Sequence, residues 1–297
     1  MREESYTFKG KRYVWLPVLF LLPQLVITAV FFFYPAGEAV LGSFYLEDSF
    51  GISREFVGLE NFTALFADAG YMHTLKVTLL FSVATIFLIM SASLLLAVVA
   101  DQISQGGTLY KSLLIIPYAV APPLAGVLWL FLFNPSGGVL TEVLGSFGYV
   151  WNHKIDGNQA LFLLVLAAAW KQVSYNFLFF LAGLHAIPKS LIEAAAIDGA
   201  SPWRRFRTII FPLLSPTTFF LLVVNTIYTL FETFGIVHAV TQGGPSRATE
   251  TLIYKVFNDG FISMNFGGSS AQSVVLMLIV MVLTFLQFRF IERKVNY

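Results

Sequence analysis

Stretches of about 20 apolar residues recur along this 297-residue chain, and nothing else in it constrains the fold as strongly. They cover about 14–34, 75–100, 109–133, 160–185, 209–231 and 271–291. A bilayer core needs about 20 apolar residues of a helix. Inside it each backbone N–H and C=O must be satisfied within the segment, so every stretch is expected to be helical. Composition agrees, with 57% of residues hydrophobic and 12% charged, about half the charged share of a soluble domain. The expected class is an all-α integral membrane protein with six transmembrane helices. Pro117, Pro122 and Pro123 predict a kink or break in the third, because proline removes a backbone donor and clashes with the preceding turn.

Basic residues set the expected orientation. Arg2, Lys9, Lys11 and Arg12 precede the first stretch; Lys189, Arg204, Arg205 and Arg207 lie between the fourth and fifth; Arg289, Arg293 and Lys294 close the chain. The alternate loops hold scattered single charges such as Arg54, Lys154, Arg247 and Lys255. The positive-inside rule then puts both termini and the 186–212 loop in the cytoplasm, with 35–74, 134–159 and 232–270 facing outward. The first stretch is too long for a signal-peptide core and no small-x-small cleavage site follows, so it reads as a retained helix. This gives a cytoplasmic tail, 1–13, and one membrane domain, 14–297.

Several chemistries are excluded. The chain has no cysteine, which removes disulfides, Cys-bound zinc and thiol catalysis. His73, His153, His185 and His238 are scattered and make no metal-ligand spacing. No G-x-x-x-x-G-K-[ST] loop is present, and the glycine pairs at 106–107, 137–138, 243–244 and 267–268 read as loop residues. No Ser-His-Asp set can be assigned. A net charge of +1 gives no reason to expect a nucleic-acid partner. Neither a metal site nor a catalytic residue is expected, and any ATP hydrolysis has to come from another chain.

The segment Glu193–Pro212, EAAAIDGASPWRRFRTIIFP, is charged and alanine-rich between two apolar stretches. Pro188 suits a helix start, Gly199 a left-handed helix end, and Ser201-Pro202 an N-cap and first-turn pair. Two short helices joined by a tight turn follow. Ala194, Ala195, Ala196 and Ala200 give a small-residue surface able to enter a groove, while Glu193, Asp198, Arg204 and Arg205 offer charge pairing. From the residues alone, an interfacial elbow and a docking device both stand.

Glu193-Ala194-Ala195, then Gly199, then Ile209 and Pro212 resemble the EAA loop of ABC importer permeases, with Phe211 where that family usually has leucine. The segments 56–62 (FVGLENF), 117–135 (PYAVAPPLAGVLWLFLFNP) and 241–257 (TQGGPSRATETLIYKVF) resemble permeases of the carbohydrate-uptake type. WKQVSYNFLFFLAGLHAIPKSLIEAAAIDGA narrows the likeness to permeases for sn-glycerol 3-phosphate. The resemblance implies the type I importer permease (MetI-like) fold in a bacterial inner membrane. It also implies a loop seated in a cytoplasmic ATPase that holds ATP and magnesium. The implied partners are a second homologous permease, two ATPase copies and one external solute-binding protein.

Polar residues inside the stretches mark a candidate path. A lysine at mid-membrane costs roughly 2.5–3.5 kcal/mol on insertion scales, so Lys171 is expected to face a cavity or a partner. Gln172, Tyr175 and Asn176 lie within an arc of about 140° of it. Asn225, Tyr228, Thr229 and Glu232 make a stripe on the fifth stretch. Either these faces line a route on which Lys171 attracts a phosphate, or Lys171 pairs with a carboxylate such as Glu232 and Asn225 holds helices together. Gly243, Gly244 and Pro245 make an outer turn, suited to docking or gating beside a binding protein or to turn geometry alone. The leading expectation is the pore-forming, non-catalytic subunit of an importer for sn-glycerol 3-phosphate or glycerophosphodiesters. A neutral-sugar importer and a stand-alone secondary transporter are the alternatives; the former gives Lys171 no task and the latter gives the EAA-like loop none.

Overall fold

The computed structural model describes residues 15–48, 53–102 and 107–291. The tail 1–13 and the terminal Arg293 and Lys294 lie outside the described residues. Helix α1 (Trp15–Thr28) runs through a π-helical turn at Ala29–Phe33 into α2 (Tyr34–Gly42). The wide turn has a local cause: Pro35 lacks an N–H and its ring would press on the carbonyl four residues back. A hairpin of β1 (Tyr45–Glu47) and β2 (Arg54–Phe56) follows, an element absent from the all-helical expectation. The rings of Tyr45 and Phe56 meet across it at 5.5 Å, and Arg54 Nε pairs with Glu47 Oε1 at 2.6 Å. Helix α3 (Glu60–Ala67) then leads to α4 (Ala69–Asp101). The latter begins about a turn and a half earlier than hydropathy suggests, because the Asp68 carboxylate caps it by accepting from Gly70 N and Tyr71 N.

The third span is broken. Helices α5 (Gly107–Ile115) and α6 (Pro122–Leu132) flank a 3₁₀ turn at Ile116–Ala119 and meet at a bend of 104°. An outer helix, α7 (Val139–Ser146), precedes α8 (Gly157–Ala186), which packs along α4 and forms the centre of the molecule. The short helices α9 (Lys189–Ile197), α10 (Pro202–Arg205) and α11 (Phe211–Leu213) form an elbow, and α12 (Ser215–Ile227) leaves it at 64°. A π-helical turn at Phe206–Ile210 precedes Pro212 as the earlier one precedes Pro35. After a third such turn, Tyr228–Glu232, come α13 (Phe234–Val240), α14 (Leu252–Phe257) and α15 (Phe266–Leu286). Among the described residues, four helices are long and apolar enough to cross a membrane, and the two bent pairs raise the number to six.

The loop expectation for the glycine pairs fails at two of them. Gly107 is the first residue of α5. Gly267 and Gly268 belong to the first turn of α15, where Asn265 caps Gly268 N. A Cβ on Gly267 would collide with the Tyr45 carbonyl oxygen, so this glycine serves close packing of helix on hairpin.

Candidate functional site

The break between α5 and α6 opens onto a cavity of about 490 Å³. Its walls are Tyr118 to Pro122 from the break, Lys171, Gln172 and Tyr175 from α8, and Val224 and Glu232 from the fifth span. Non-helical backbone at membrane depth persists only where protein buries it or a wet cavity receives it. Here the unwound residues face the cavity, and the N-terminus of α6 lies at its edge. Lys171 is 8% exposed, with Nζ 5.1 Å from the centroid of the Tyr118 ring. Among the described residues, no carboxylate lies within 4.0 Å of it, so Glu232 shares the cavity with Lys171 without forming a contact pair. The Tyr175 ring lies tilted against Tyr118, centroids 5.6 Å apart, and continues a line of rings through Phe179 to Phe220.

The rest of the polar stripe turns inward. Asn225 is fully buried; its Nδ2 donates to Asn176 Oδ1 at 2.7 Å, and its Oδ1 accepts from Asn176 Nδ2 at 3.1 Å and Gln172 Nε2 at 3.4 Å. The Tyr228 hydroxyl donates to the Ala168 carbonyl at 3.0 Å, and Thr229 to Asn225 O at 3.0 Å. Asn176, Asn225 and Tyr228 thus tie α12 and its π-helical turn to α8, and Gln172 alone bridges this cluster and the cavity. Sequence reasoning passed over Tyr118; its signal was an aromatic residue beside a proline-broken span.

The elbow has the expected build. Gly199 adopts φ +78° after α9, and Ser201 Oγ accepts from Arg204 N at 3.4 Å at the start of α10. Glu193, Ala194 and Ala195 lie on α9, Asp198 and Gly199 in the turn, Arg204 and Arg205 on α10, Ile209 in the π-helical turn and Pro212 on α11. The ends of α4 and α8 meet above it, with His185 Nε2 3.1 Å from Asp101 Oδ1.

At the opposite end, Gly243 takes φ +82° against the Tyr254 ring, and a side chain there would strain the backbone as well as crowd the ring. The 241–251 loop is fixed from both sides. Thr249 Oγ1 donates to Gly244 O at 2.7 Å, Thr74 Oγ1 to Glu250 Oε2 at 2.7 Å, and Leu252 N to Thr78 Oγ1 at 2.9 Å. Burial, and then Glu250, push the Tyr254 hydroxyl pKa up from its ordinary value. Nearby, Lys255 Nζ sits 3.0 Å from Asp259 Oδ2, which also accepts from Gln272 Nε2 at 2.6 Å. On the other outer loop, buried His153 accepts from Trp151 Nε1 at 3.2 Å, and desolvation, with Lys154 adding to it, lowers its pKa. Among the described residues, no group of three or more His, Cys, Asp or Glu could hold a metal ion.

A broken span over a polar cavity, with a helical elbow between two further spans, is the architecture of a membrane transport permease. Residues 109–297 match the family of binding-protein-dependent transport system inner membrane components, and the chain belongs to that family of ABC importer permeases. It is 61% identical over 294 residues, 99% of each chain, to the sn-glycerol-3-phosphate transport system permease protein UgpA of Brucella abortus. The protein of the same name from Agrobacterium fabrum is 59% identical over 95% of this chain and 96% of its own. Among solved structures, the bacterial ABC transporter for the acidic polysaccharide alginate superposes with a TM-score of 0.82 at 19% identity, covering 94% of this chain and 96% of the other. The MetNI methionine ABC transporter gives 0.53 at 18% identity, over 80% and 99%. These two establish a shared fold.

Proposed function

We propose that this chain forms half of the pore of an importer for sn-glycerol 3-phosphate, with glycerophosphodiesters as related cargo. The observation that carries the reading is the cavity at the α5–α6 break, where Lys171, with no carboxylate in contact among the described residues, and the N-terminus of α6 face one space. The positive end of a helix favours an anion, and broken membrane helices commonly aim such ends at anionic groups. Gln172 and Tyr175 supply donors and acceptors for hydroxyls. Relatives at 61% and 59% identity that carry the glycerol-3-phosphate permease name support the same substrate.

Under this reading the chain is not itself an enzyme. It works with a second homologous permease, two copies of a cytoplasmic ATPase that holds ATP and magnesium, and one external binding protein. The tail 1–13 and both termini lie in the cytoplasm, and one membrane domain, 14–297, spans the inner membrane. Glu193, Ala194, Ala195, Asp198, Gly199, Arg204, Arg205, Ile209 and Pro212 belong to the elbow that meets the ATPase, with Arg205 on the side of the elbow turned toward α4. Gly243, Gly244 and Pro245 hold the outer loop that meets the binding protein. ATPase closure swings the elbow, and the bend at Leu214 passes the motion to α12 and to the α8 wall of the cavity.

The test is uptake of labelled glycerol 3-phosphate by the assembled importer. Lys171→Ala is expected to lower uptake at least tenfold with assembly intact, and Lys171→Arg to recover much of it. Wild-type uptake by Lys171→Ala would overturn the anion reading, and binding of a neutral sugar, but not glycerol 3-phosphate, by the cognate external protein would overturn the substrate.

A further inference from the structure

A second cavity, of about 630 Å³, lies between the end of α4 and the elbow. Leu94, Leu95 and Val98 make one wall, and Ile192, Phe206 and Ile210 the other. Trp203 and Arg205 stand at its edge. Trp203 is 69% exposed and stacks on Phe206 at 5.7 Å, an amphipathic ring of the kind that collects at membrane interfaces. The trough is continuous with the outward face of α4, where Leu95 and Val99 are exposed.

Arg205 differs from its neighbours. It lines the trough while Arg204 and Arg207 do not, and its Nε is buried without a hydrogen-bond partner. Among the described residues, none of the three arginines has a carboxylate within 4.0 Å. Asp101, the acidic residue in the lining, is already held by His185 at 3.1 Å. A buried guanidinium N–H with no acceptor is costly, and a phosphate oxygen supplies an acceptor of matching charge and planar geometry. An apolar trough, an interfacial tryptophan and an unpaired guanidinium together match one molecule: a glycerophospholipid.

We propose that this groove is a site for an anionic phospholipid, with an acyl chain along Leu94, Leu95 and Val98 and the phosphodiester on Arg205. Arg204 and Arg207 give the surrounding surface the charge that favours an anionic headgroup. The lipid would fill the space between α4 and the elbow and set how stiffly the elbow follows the helix ends. That the lipid comes from the inner leaflet rests on the proposed cytoplasmic orientation.

The assembled importer is reconstituted in equal phosphatidylglycerol and phosphatidylcholine, extracted in mild detergent, and its bound lipid counted on this subunit by native mass spectrometry. The wild-type chain is expected to retain phosphatidylglycerol. Arg205→Ala is expected to reduce retention about tenfold, as loss of one charge-assisted hydrogen bond implies. Leu95→Trp, at an exposed position, fills the trough and is expected to do the same, while Arg207→Ala retains lipid as wild type does. Wild-type retention by both Arg205→Ala and Leu95→Trp would overturn the site, and equal retention of phosphatidylcholine would overturn the anionic preference. A single cysteine at Ser201, labelled from either face of sealed vesicles, tests the leaflet separately: labelling from outside would overturn the orientation and leave the lipid count standing.

Discussion

The amide cluster between α8 and α12 allows a quantitative test of which polar residues hold the bundle together. Asn176 and Asn225 exchange two bonds, at 2.7 and 3.1 Å, and Asn176 Nδ2 also reaches Gln172 O at 3.1 Å. Side-chain bonds between membrane helices average about 0.6 kcal/mol and reach about 1.7. Removing one partner adds the cost of the orphaned amide, about 1–3 kcal/mol. Asn225→Leu or Asn176→Leu should therefore each cost about 2 kcal/mol. The double variant strands neither amide, because both are gone, and Gln172 can turn to the cavity. It should cost about 2 kcal/mol rather than about 4, a coupling of about 2 kcal/mol. The natural chain has no cysteine, so a single cysteine at wholly buried Ala97 reports opening of the bundle. Its labelling on warming, read on this subunit of the assembled importer, gives the apparent stability of each variant. Additive single effects would refute the reasoning, as would a double variant whose KM for glycerol 3-phosphate rises while its stability is normal, because that would place the amides on the path.

Three further perturbations test other joints. Asp259→Leu leaves Lys255 buried without its carboxylate and should cost about 3–5 kcal/mol, most of it recovered in Lys255→Met/Asp259→Leu, in the same labelling assay. Gly126→Ala places a Cβ 2.7 Å from Val240 Cγ2 and should cost about 1–3 kcal/mol by wedging α6 from α13, with Gly145→Ala, which meets nothing within 4 Å, as the control. The folded state holds His153 neutral with its pKa below the ordinary value of about 6.5, so its contribution is complete above about that pH and declines as pH falls further. Emission from Trp151, isolated by difference from Trp151→Phe, should shift to the red as pH falls below about 6.5, and His153→Phe should abolish the shift.

Much of the fold was legible because its causes are local. Apolar length located six spans, proline spacing located the break at 117–123, and Gly199 with Ser201-Pro202 gave the elbow its shape. What escaped depends on contacts distant in sequence. Hydropathy began the second span at 75 because His73 and Thr74 are polar; Thr74 instead bonds Glu250, and Asp68 starts the helix earlier. Gly267 and Gly268 read as loop residues because the sequence does not reveal the Tyr45 backbone that α15 packs against.

The polar stripe shows the same division at the level of function. An arc of about 140° on a helix in a bundle is wider than one neighbour, so it spans two environments. On α8, Lys171 and Tyr175 fall on the cavity side, Asn176 falls on the α12 side, and Gln172 sits at the seam. Helical angle could select these four residues; only the position of α12 and the α5–α6 break could separate them. The stripe on the fifth span divides similarly, with Asn225 and Tyr228 bonded to α8 and Glu232, the last residue of the π-helical turn, facing the cavity. Because Gln172 belongs to both sets, a change that moves α12 against α8 must alter the cavity wall. That shared residue links the bend at Leu214, and the elbow beyond it, to the space occupied by Lys171.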